Sequence, residues 1–195
     1  EVLFLKLIIG ITGATGAIFG IRLLEILKST DIETHLILSS WAKATIPLET
    51  AYTVAQVEAL ADVSYSSKDQ AARISSGSFR TEGMIIAPCS MKTTASIRHG
   101  FADNLIARAA DVVLKERKHL LLMTRETPLN TIHLENMLAL SKLGVTIAPP
   151  MPAFYNQPAD ISELIDHIAY RTLDQFGIHM EEADRWEGMP SSKPK

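Results

Sequence analysis

Four short segments of this sequence combine glycine, hydroxyl and cationic residues in a way that suits the binding of a phosphate group. Each follows an apolar run directly, and they are Thr12–Gly16, Ser39–Ser40, Cys89–Thr93 and Thr124–Thr127. Backbone N–H groups at a glycine-rich turn or at a helix N-terminus bind phosphate, and serine, threonine and arginine side chains add further donors. These residue types therefore predict a ligand that carries phosphate.

The apolar runs before these segments predict a parallel β-sheet. Five short, mostly apolar runs occur along the chain, at Leu7–Ile9, Leu36–Leu38, Met84–Ala87, Leu120–Met123 and Val145–Ala148. Such runs suit strands that are covered on both faces, and helix-like stretches alternate with them, which favours βαβ units. Loops that follow parallel strands gather at the carboxyl edge of the sheet, where open α/β sheets bind ligands. We therefore predict an α/β fold with a central parallel sheet.

Capping signals and apolar periodicity predict the longer helices. One begins at Gly16, one covers Asn104–Lys118 with Asp103 as its N-cap, one starts at Thr127 and Pro128 and ends at Gly144, and one follows an apolar stripe from Ile161 to Phe176. The region between residues 49 and 79 is less clear. We predict there a short helix, Val54–Ala61, and a serine-rich loop at Ser75–Ser78.

Composition indicates an ordinary globular protein. The chain has 195 residues, a net charge of −3 and a single cysteine, and 47% of its residues are hydrophobic. The charge gives no reason to expect nucleic acid or an anionic membrane as a partner, and a lone cysteine favours a reducing compartment such as the cytoplasm. We expect one domain over residues 5–188. Residues 1–4 look like the remnant of a protease-site linker, and residues 189–195 are expected to form a flexible tail.

The residues after the second strand help to identify the phosphate ligand. The glycine spacing fits neither a dinucleotide fingerprint nor a P-loop. An NAD site needs an acidic side chain at the end of the second strand, where this chain has Ser39, Ser40 and Trp41. Hydroxyl groups and glycine amides suit a mononucleotide, whose ribityl chain needs no carboxylate. Flavin mononucleotide (FMN) is the obvious ligand of this kind, although the same glycines could serve simple helix–strand packing.

A series of motifs in this chain resembles the UbiX/Pad family of flavin prenyltransferases. In chain order they are Gly13–Ala17, Glu33–Leu36 with Ser39, Leu48–Thr50, Ile74–Phe79, Pro88–Thr93, Arg108–Glu116, Arg125–Pro128 and Pro149–Tyr155. The resemblance covers Lys6 to Trp186 and is closest to the branch that accompanies phenolic (hydroxyarylic) acid decarboxylases. It implies a Rossmann-like three-layer sandwich that binds FMN within a large homo-oligomer, usually a dodecamer.

The resemblance also implies a reaction. A dimethylallyl group passes from dimethylallyl phosphate to reduced FMN without a metal ion, and the prenylated FMN is handed to a UbiD-type aromatic acid decarboxylase. No histidine spacing typical of a metal site occurs in the chain. Two other functions stay open at this point: an FMN-dependent decarboxylase of hydroxybenzoate or phenolic acids, and a non-catalytic flavin-binding subunit of such an enzyme.

By resemblance, individual residues acquire expected roles. FMN is expected to contact Gly13, Ala14, Thr15, Ser39, Ser90, Met91, Lys92, Thr93 and Arg125. Dimethylallyl phosphate is expected to contact Tyr155, Arg171, Arg108, Lys115 and Trp186, with Lys115 supplied across a subunit interface. From the residues alone, simpler interpretations stay open. Ser90 and Thr93 could be ordinary helix caps, Arg171 could be a surface arginine, and Arg108 and Lys115 could form a solvated stripe with Asp111.

Three residues are expected to act in catalysis: Glu49 and Glu126 as acid/base groups, and Lys115 beside the leaving phosphate. A carboxylate near a phosphate ester can relay protons if burial brings its pKa toward neutrality. Glu126 could instead be a structural ion-pair partner of Arg125. Trp186 and Trp41 could wall a prenyl pocket, whereas Cys89 is interpreted as a buried structural residue.

Overall fold

The computed structural model describes residues 5–183, 185, 186 and 188. The linker remnant predicted at residues 1–4 and the tail predicted from residue 189 lie outside these described residues. The chain divides into two compact units, one that ends at Pro150 and one that begins at Met151. That residues 5–188 form a single domain stays a prediction.

The first unit is built on a parallel sheet of six strands in the order β3-β2-β1-β4-β5-β6. The strands are β1 (Lys6–Ile11), β2 (Glu33–Leu38), β3 (Val63–Ser66), β4 (Gly83–Cys89), β5 (His119–Thr124) and β6 (Thr146–Ile147). All five predicted runs are strands. The sixth strand, β3, was not predicted; it lies at the sheet edge, and its residues alternate between half-buried and exposed.

Helices cover the sheet on both faces. The helices of the first unit are α1 (Ala17–Leu27), α2 (Ser40–Glu49), α3 (Val54–Glu58), α4 (Met91–His99), α5 (Leu105–Lys115) and α6 (Thr131–Lys142). Strands β1 to β3 are added toward one edge of the sheet, and β4 to β6 toward the other. Because the crossover connections are right-handed, α1–α3 lie on one face of the sheet and α4–α6 on the other. The predicted Rossmann-like three-layer α/β sandwich is confirmed.

Two predicted helix starts were wrong because an asparagine side chain, not the expected residue, caps the helix. Asn104 rather than Asp103 caps α5, accepting from the Ala107 N–H at 3.1 Å. Asn130 rather than Thr127 caps α6, accepting from the His133 N–H at 2.9 Å. The asparagine side chain satisfies a helix N–H group that otherwise has no partner. The ends also come earlier than predicted, at residues 115 and 142, and α3 ends at residue 58.

Close packing of α1 on the sheet fixes the turn that follows β1. A side chain on Gly20 would overlap the Ala87 carbonyl oxygen and lie 2.7 Å from Ile11, so the helix approaches the middle of the sheet more closely than a larger residue would permit. Gly16, with φ of 101°, makes the left-handed turn into α1. The glycine-rich turn is therefore held between the two central strands, β1 and β4.

The second unit contains one longer helix, α7 (Ile161–Asp174). The Asp160 side chain caps it by accepting from the Glu163 N–H at 3.0 Å, and buried residues on one side follow the apolar stripe that predicted it. None of the helices among the described residues is long and apolar enough to cross a bilayer.

Candidate active site

A cleft of about 290 Å³ opens at the carboxyl ends of the central strands. Connections leave β1 toward β2 and β4 toward β5, so β1 and β4 form the switch point at which open α/β sheets bind ligands. The segments after β1, β2, β3 and β4, together with the start of α5, line the cleft. The lining residues are Thr12, Gly13, Ser39, Ser40, Trp41, Ser67, Ser90, Lys92, Thr93, Ser96, Asp103, Asn104 and Ile106. Three of the four predicted phosphate-binding segments therefore meet in one place.

Hydrogen bonds from Thr12 hold the loop after β1 against the loop after β4. The buried Thr12 hydroxyl donates to the Pro88 carbonyl at 2.7 Å and accepts from the Ser90 N–H at 2.9 Å. The Ser39 N–H in turn donates to the Ile11 carbonyl at 3.0 Å. These bonds fix the cleft wall in advance of any ligand. The sequence placed Thr12 at the start of a predicted phosphate-binding segment but gave it no role of its own.

Two of the serines that line the cleft, Ser39 and Ser90, also cap helices. Ser39 Oγ accepts from the Ala42 N–H at 3.0 Å at the start of α2, and Ser90 Oγ accepts from the Thr93 N–H at 3.3 Å at the start of α4. The capping interpretation is thus correct for Ser90 but not for Thr93, which lies in the first turn of α4 and donates its N–H to that cap. The two caps place the N-termini of α2 and α4 beside the cleft. A helix N-terminus favours an anion through its dipole and its unpaired N–H groups.

Gly13 lies so close to Trp41 that it tolerates no side chain. A Cβ atom there would overlap the Trp41 Cβ atom and lie 3.2 Å from its Cα and carbonyl carbon. A Gly13→Ala variant must therefore displace the start of α2, and we expect its FMN affinity, followed by flavin fluorescence, to fall at least about tenfold. Gly10→Ala is the control, because its nearest neighbour is the flexible end of Met84 at 3.2 Å. Equal FMN affinity in both variants would contradict this prediction.

Glu49 lies at the entrance of α1, where its side chain is exposed rather than buried as an acid/base role would favour. Its Oε2 atom accepts from the Gly16 N–H at 2.8 Å and from the Ala17 N–H at 3.2 Å. The last residue of α2 thus provides the anionic cap that Gly16, which has no side chain, cannot. Because the carboxylate occupies these two amides, a ligand phosphate is left with Gly13 and the N-termini of α2 and α4. Ala14 and Thr15 belong to the same turn but do not line the cleft.

The segment after β5 lies at the same edge of the sheet. The Arg125 N–H donates to the Cys89 carbonyl at 3.1 Å, which places it beside the end of β4, but its side chain does not line the cleft. Its Nη1 atom is 4.0 Å from Glu126 Oε1, so the ion pair between these side chains is a loose one. Met91, in the first turn of α4, is half-buried outside the lining, whereas Lys92 and Thr93 form part of it.

Arg108 and Lys115 face the loop before β4, away from the cleft of their own chain. Arg108 Nε donates to the Ser75 carbonyl at 3.2 Å, and its Nη1 atom pairs with Asp111 at 2.8 Å. Lys115 contacts Glu116 beside Gly77. An 11-residue helix is roughly 16 Å long, and α5 separates Lys115 from Asn104, which lines the cleft. Of the charged stripe suggested for Arg108, Asp111 and Lys115, only the pair of Arg108 and Asp111 forms, since Lys115 contacts Glu116 instead.

A cavity of about 960 Å³ lies within the second unit. Tyr155 and Trp186 line it together, with their rings 5.7 Å apart in an edge-to-face arrangement. Tyr155 Oη lies 3.2 Å from Nε2 of His167, which is one helical turn before Arg171 on α7. Arg171 has about half of its side chain exposed and pairs with Asp174 at 2.6 Å. Three of the residues predicted to bind dimethylallyl phosphate therefore lie around one end of α7. Sequence reasoning missed Arg185, which lines the same cavity beside Trp186.

Comparison with known proteins identifies the family. The Flavoprotein family model matches residues 4–172. A probable UbiX-like flavin prenyltransferase of Bacillus subtilis is 66% identical over 188 residues, which are 96% of this chain and 92% of that protein. The chain belongs to the UbiX-like flavin prenyltransferase family. The resemblance found in the sequence is thereby confirmed.

Two solved structures of UbiX-like proteins match closely. One is a dodecameric FMN-dependent UbiX-like decarboxylase of Escherichia coli O157:H7, with 59% identity and a TM-score of 0.93 over 94% of this chain and 100% of that one. The other, AnUbiX (PadA1) in complex with FMN and dimethylallyl pyrophosphate, has 50% identity and a TM-score of 0.95 over 96% of this chain and 100% of that one.

The cleft of this UbiX-like chain fits FMN chemically. Its polar lining supplies backbone amides at Gly13, hydroxyl groups at Ser39 and Ser90, and one cation at Lys92, which are the donors that a phosphate and a ribityl chain require. Its volume of about 290 Å³ is just below the range for small-molecule sites, roughly 300–1,000 Å³. Within the described residues, no group of three or more histidine, cysteine, aspartate or glutamate side chains is arranged to hold a metal ion.

Cys89 lies in the core of this UbiX-like fold, as its interpretation as a structural residue requires. Its side chain is fully buried, its Sγ atom lies 3.5 Å from Thr94 Oγ1, and burial raises the pKa of the thiol to about 12. Because the thiolate is the reactive form, we expect native protein to react with Ellman's reagent roughly 10³-fold more slowly than unfolded protein at pH 8. Release of one equivalent of thionitrobenzoate from native protein at the unfolded rate would contradict the structural role.

Proposed function

We propose that this protein transfers a dimethylallyl group from dimethylallyl phosphate to reduced FMN. The observation that carries the proposal is the convergence of three donor-rich loops on one cleft at the β1/β4 switch point, in a chain that belongs to the UbiX-like family. The 50% identical relative binds FMN and dimethylallyl pyrophosphate, which supports FMN and a phosphorylated dimethylallyl donor as the ligands here. Bound, reduced FMN would supply the nucleophilic ring nitrogen that accepts the prenyl group.

The loops of the first unit would hold the flavin. Gly13 would contribute its backbone amide, and Ser39 and Ser90 would contribute hydroxyl groups at two helix N-termini. Contacts from Ala14 and Thr15, which do not line the cleft, stay predictions from the resemblance. Further contacts are expected from Met91, Lys92, Thr93 and Arg125. Thr12 would keep the loops in register, so that little of the binding energy is spent on ordering them.

Residues of the second unit would bind the prenyl donor. Arg171 and the Tyr155 hydroxyl would bind its phosphate, and Trp186 would face the dimethylallyl group, because an aromatic face stabilises developing positive charge on an allylic carbon. When the carbon–oxygen bond of the donor breaks, phosphate leaves with the electron pair. A cation near that phosphate lowers the barrier by stabilising the charge that develops on it.

Lys115 and Arg108 would act on a neighbouring copy of the chain. Neither side chain lines the cleft of its own chain, and both contact the loop that contains Ser75 and Gly77. In a dodecamer, such as that of the 59% identical E. coli protein, this surface could complete a neighbour's site. We therefore propose a dodecamer whose sites are shared between subunits.

Two carboxylates could accept the proton that the flavin loses. Glu49 is held by two backbone amides at the glycine-rich turn, so its position is fixed, whereas Glu126 has only a loose contact with Arg125 and a bond from the Thr127 N–H at 3.1 Å. We infer that Glu49 is the principal acid/base group and Glu126 a secondary one. Transfer of the product to a UbiD-type decarboxylase, and a cytoplasmic location, stay predictions.

The mass of the flavin after turnover tests the proposal. Purified protein is incubated without oxygen with reduced FMN and either dimethylallyl phosphate or dimethylallyl pyrophosphate, and the extracted flavin is analysed by mass spectrometry. We expect a mass gain of one five-carbon prenyl unit with the monophosphate. No gain with either donor would overturn the proposal and favour a flavin-binding subunit.

A parallel incubation addresses the decarboxylase function that appears in the name of the E. coli structure. The protein is mixed with FMN and 4-hydroxybenzoic or vanillic acid, without a UbiD-type enzyme. Release of carbon dioxide in step with loss of the acid would favour a decarboxylase over a prenyltransferase.

A further inference from the structure

Asp174, the last residue of α7, has two arginine side chains and one histidine side chain around its carboxylate. Arg185 pairs with both of its oxygens, Nη2 with Oδ1 at 2.8 Å and Nη1 with Oδ2 at 3.0 Å. Arg171 Nη1 lies 2.6 Å from Oδ2, and His179 Nδ1 lies 2.8 Å from Oδ1. The Asp174 side chain is only 6% exposed, whereas its partners are about half exposed or more. One buried carboxylate therefore organises three outer side chains.

The bond to Arg185 closes a loop in the chain. Arg185 is eleven residues beyond Asp174, and its two parallel N–H···O bonds fix the geometry better than a single contact would. Its neighbour Trp186 packs edge-to-face on Tyr155, which contacts His167 on α7. The segment that contains Trp186 is thus attached to α7 at two points, by the ion pair at Asp174 and through the aromatic contact with Tyr155.

The same carboxylate restrains Arg171. A single Nη1 contact holds this guanidinium at the end of α7, and about half of the side chain is exposed. Without the contact, an exposed arginine would sample many rotamers, and a ligand phosphate would have to order it.

Hydrogen bonds from Arg185 above all, together with those from His179 and Arg171, hold the pKa of Asp174 well below its usual range, although burial alone would raise it. The anchor consequently stays ionised at neutral pH.

We propose that Asp174 is a positioning residue for the prenyl donor. It holds Arg171 for the donor phosphate and, through Arg185, holds Trp186 beside Tyr155. The inference rests on the proposed function, because that function assigns these three residues to dimethylallyl phosphate. Arg185 is an anchor in this arrangement rather than a phosphate ligand, since Asp174 already occupies its bidentate face.

Trp186 fluorescence measures the anchor without any catalysis. The chain has two tryptophans, so a Trp41→Phe background leaves Trp186 as the only one. In this background we compare Asp174→Asn, Arg185→Gln, Arg185→Lys and the control Glu182→Gln, which removes one exposed carboxylate from the same segment. Relative to the Trp41→Phe protein, the acrylamide quenching constant of Trp186 is expected to rise about two- to threefold in Asp174→Asn and Arg185→Gln, because the segment is released. The rise is expected to be smallest in Arg185→Lys and Glu182→Gln.

Binding of dimethylallyl phosphate measures the consequence. Titration calorimetry with FMN present is expected to give a donor Kd that is at least about tenfold weaker in Asp174→Asn and severalfold weaker in Arg185→Gln, with the FMN Kd unchanged in both. Because Arg185 is about half exposed and Asp174 keeps its contacts with Arg171 and His179, Arg185→Gln is expected to fold even if Asp174→Asn does not. Circular dichroism and thermal unfolding check this for each variant.

The outcomes separate the inference from the function on which it rests. Unchanged quenching and unchanged donor Kd in folded Asp174→Asn or Arg185→Gln would overturn the inference. Increased quenching with an unchanged donor Kd would overturn the positioning role and leave Asp174 as a local anchor. If the unsubstituted protein binds no donor, the proposed function fails and the donor-positioning role fails with it, while the quenching series still decides whether Asp174 holds the segment.

Discussion

A Glu49→Gln variant is expected to transfer the prenyl group about 10²- to 10⁴-fold more slowly than the unsubstituted protein, the usual range for losing a general acid or base. The glutamine amide oxygen can still accept from the Gly16 and Ala17 N–H groups, so the cap on α1 is kept. The amide cannot take up a proton at neutral pH. Single-turnover measurements, with the flavin mass as readout, report the loss on the chemical step itself.

Two further variants separate capping from catalysis. Glu49→Ala removes the cap as well, and we expect it to lose about 1 kcal/mol of stability in addition to activity, as other cap deletions do. Glu126→Gln is the matched substitution of a carboxylate that does not cap α1. We expect it to slow prenyl transfer less than Glu49→Gln does. A full rate in Glu49→Gln, with a large loss in Glu126→Gln, would transfer the acid/base role to Glu126.

Replacement of Lys115 is expected to have a comparably large effect, although it lies outside the cleft of its own chain. Removal of one preorganised charge beside a leaving group typically costs about 10²- to 10³-fold in rate. Lys115→Ala should therefore lose activity and keep its FMN affinity, since α5 places this residue away from the flavin loops. Lys118→Ala, three residues later and also exposed, is the control and should retain activity.

Co-expression of two inactive variants tests whether the site is shared. Oligomers that contain both Lys115→Ala and Glu49→Gln subunits would include sites with an intact Glu49 from one chain and an intact Lys115 from another. Random pairing predicts that about a quarter of the sites are restored. No recovery in mixed oligomers, when their assembly is confirmed by mass, would contradict the shared site and place Lys115 in some other role.

Buried strands were predictable because both of their faces are covered, which leaves a continuous apolar run in the sequence. Strand β3 was not, since it is short and lies at the sheet edge, where only alternate residues are half-buried. The starts of α5 and α6 depended on which of several neighbouring polar side chains reaches a helix N–H group. Asn104 and Asn130 do so here, and that choice depends on backbone geometry rather than on residue type.

The cleft was predictable for a related reason. Gly13, Ser39, Ser90, Lys92 and Thr93 each follow the end of a parallel strand, and topology brings such positions together. Contacts between distant helices left no comparable signal. Glu49 reaches the Gly16 amide across 33 residues only because α2 packs against α1, and Arg185 reaches Asp174 only because the chain turns back after α7. These contacts had to be observed.

A crystal structure of the protein with FMN is the most direct test of the central claim, that the loops after β1, β2 and β4 form the flavin site. We predict FMN in the cleft at the switch point, with its phosphate beside Gly13 and the N-termini of α2 and α4, within hydrogen-bonding distance of Ser39, Ser90 or Thr93. An FMN molecule bound elsewhere, with this cleft filled only by solvent, would contradict the account.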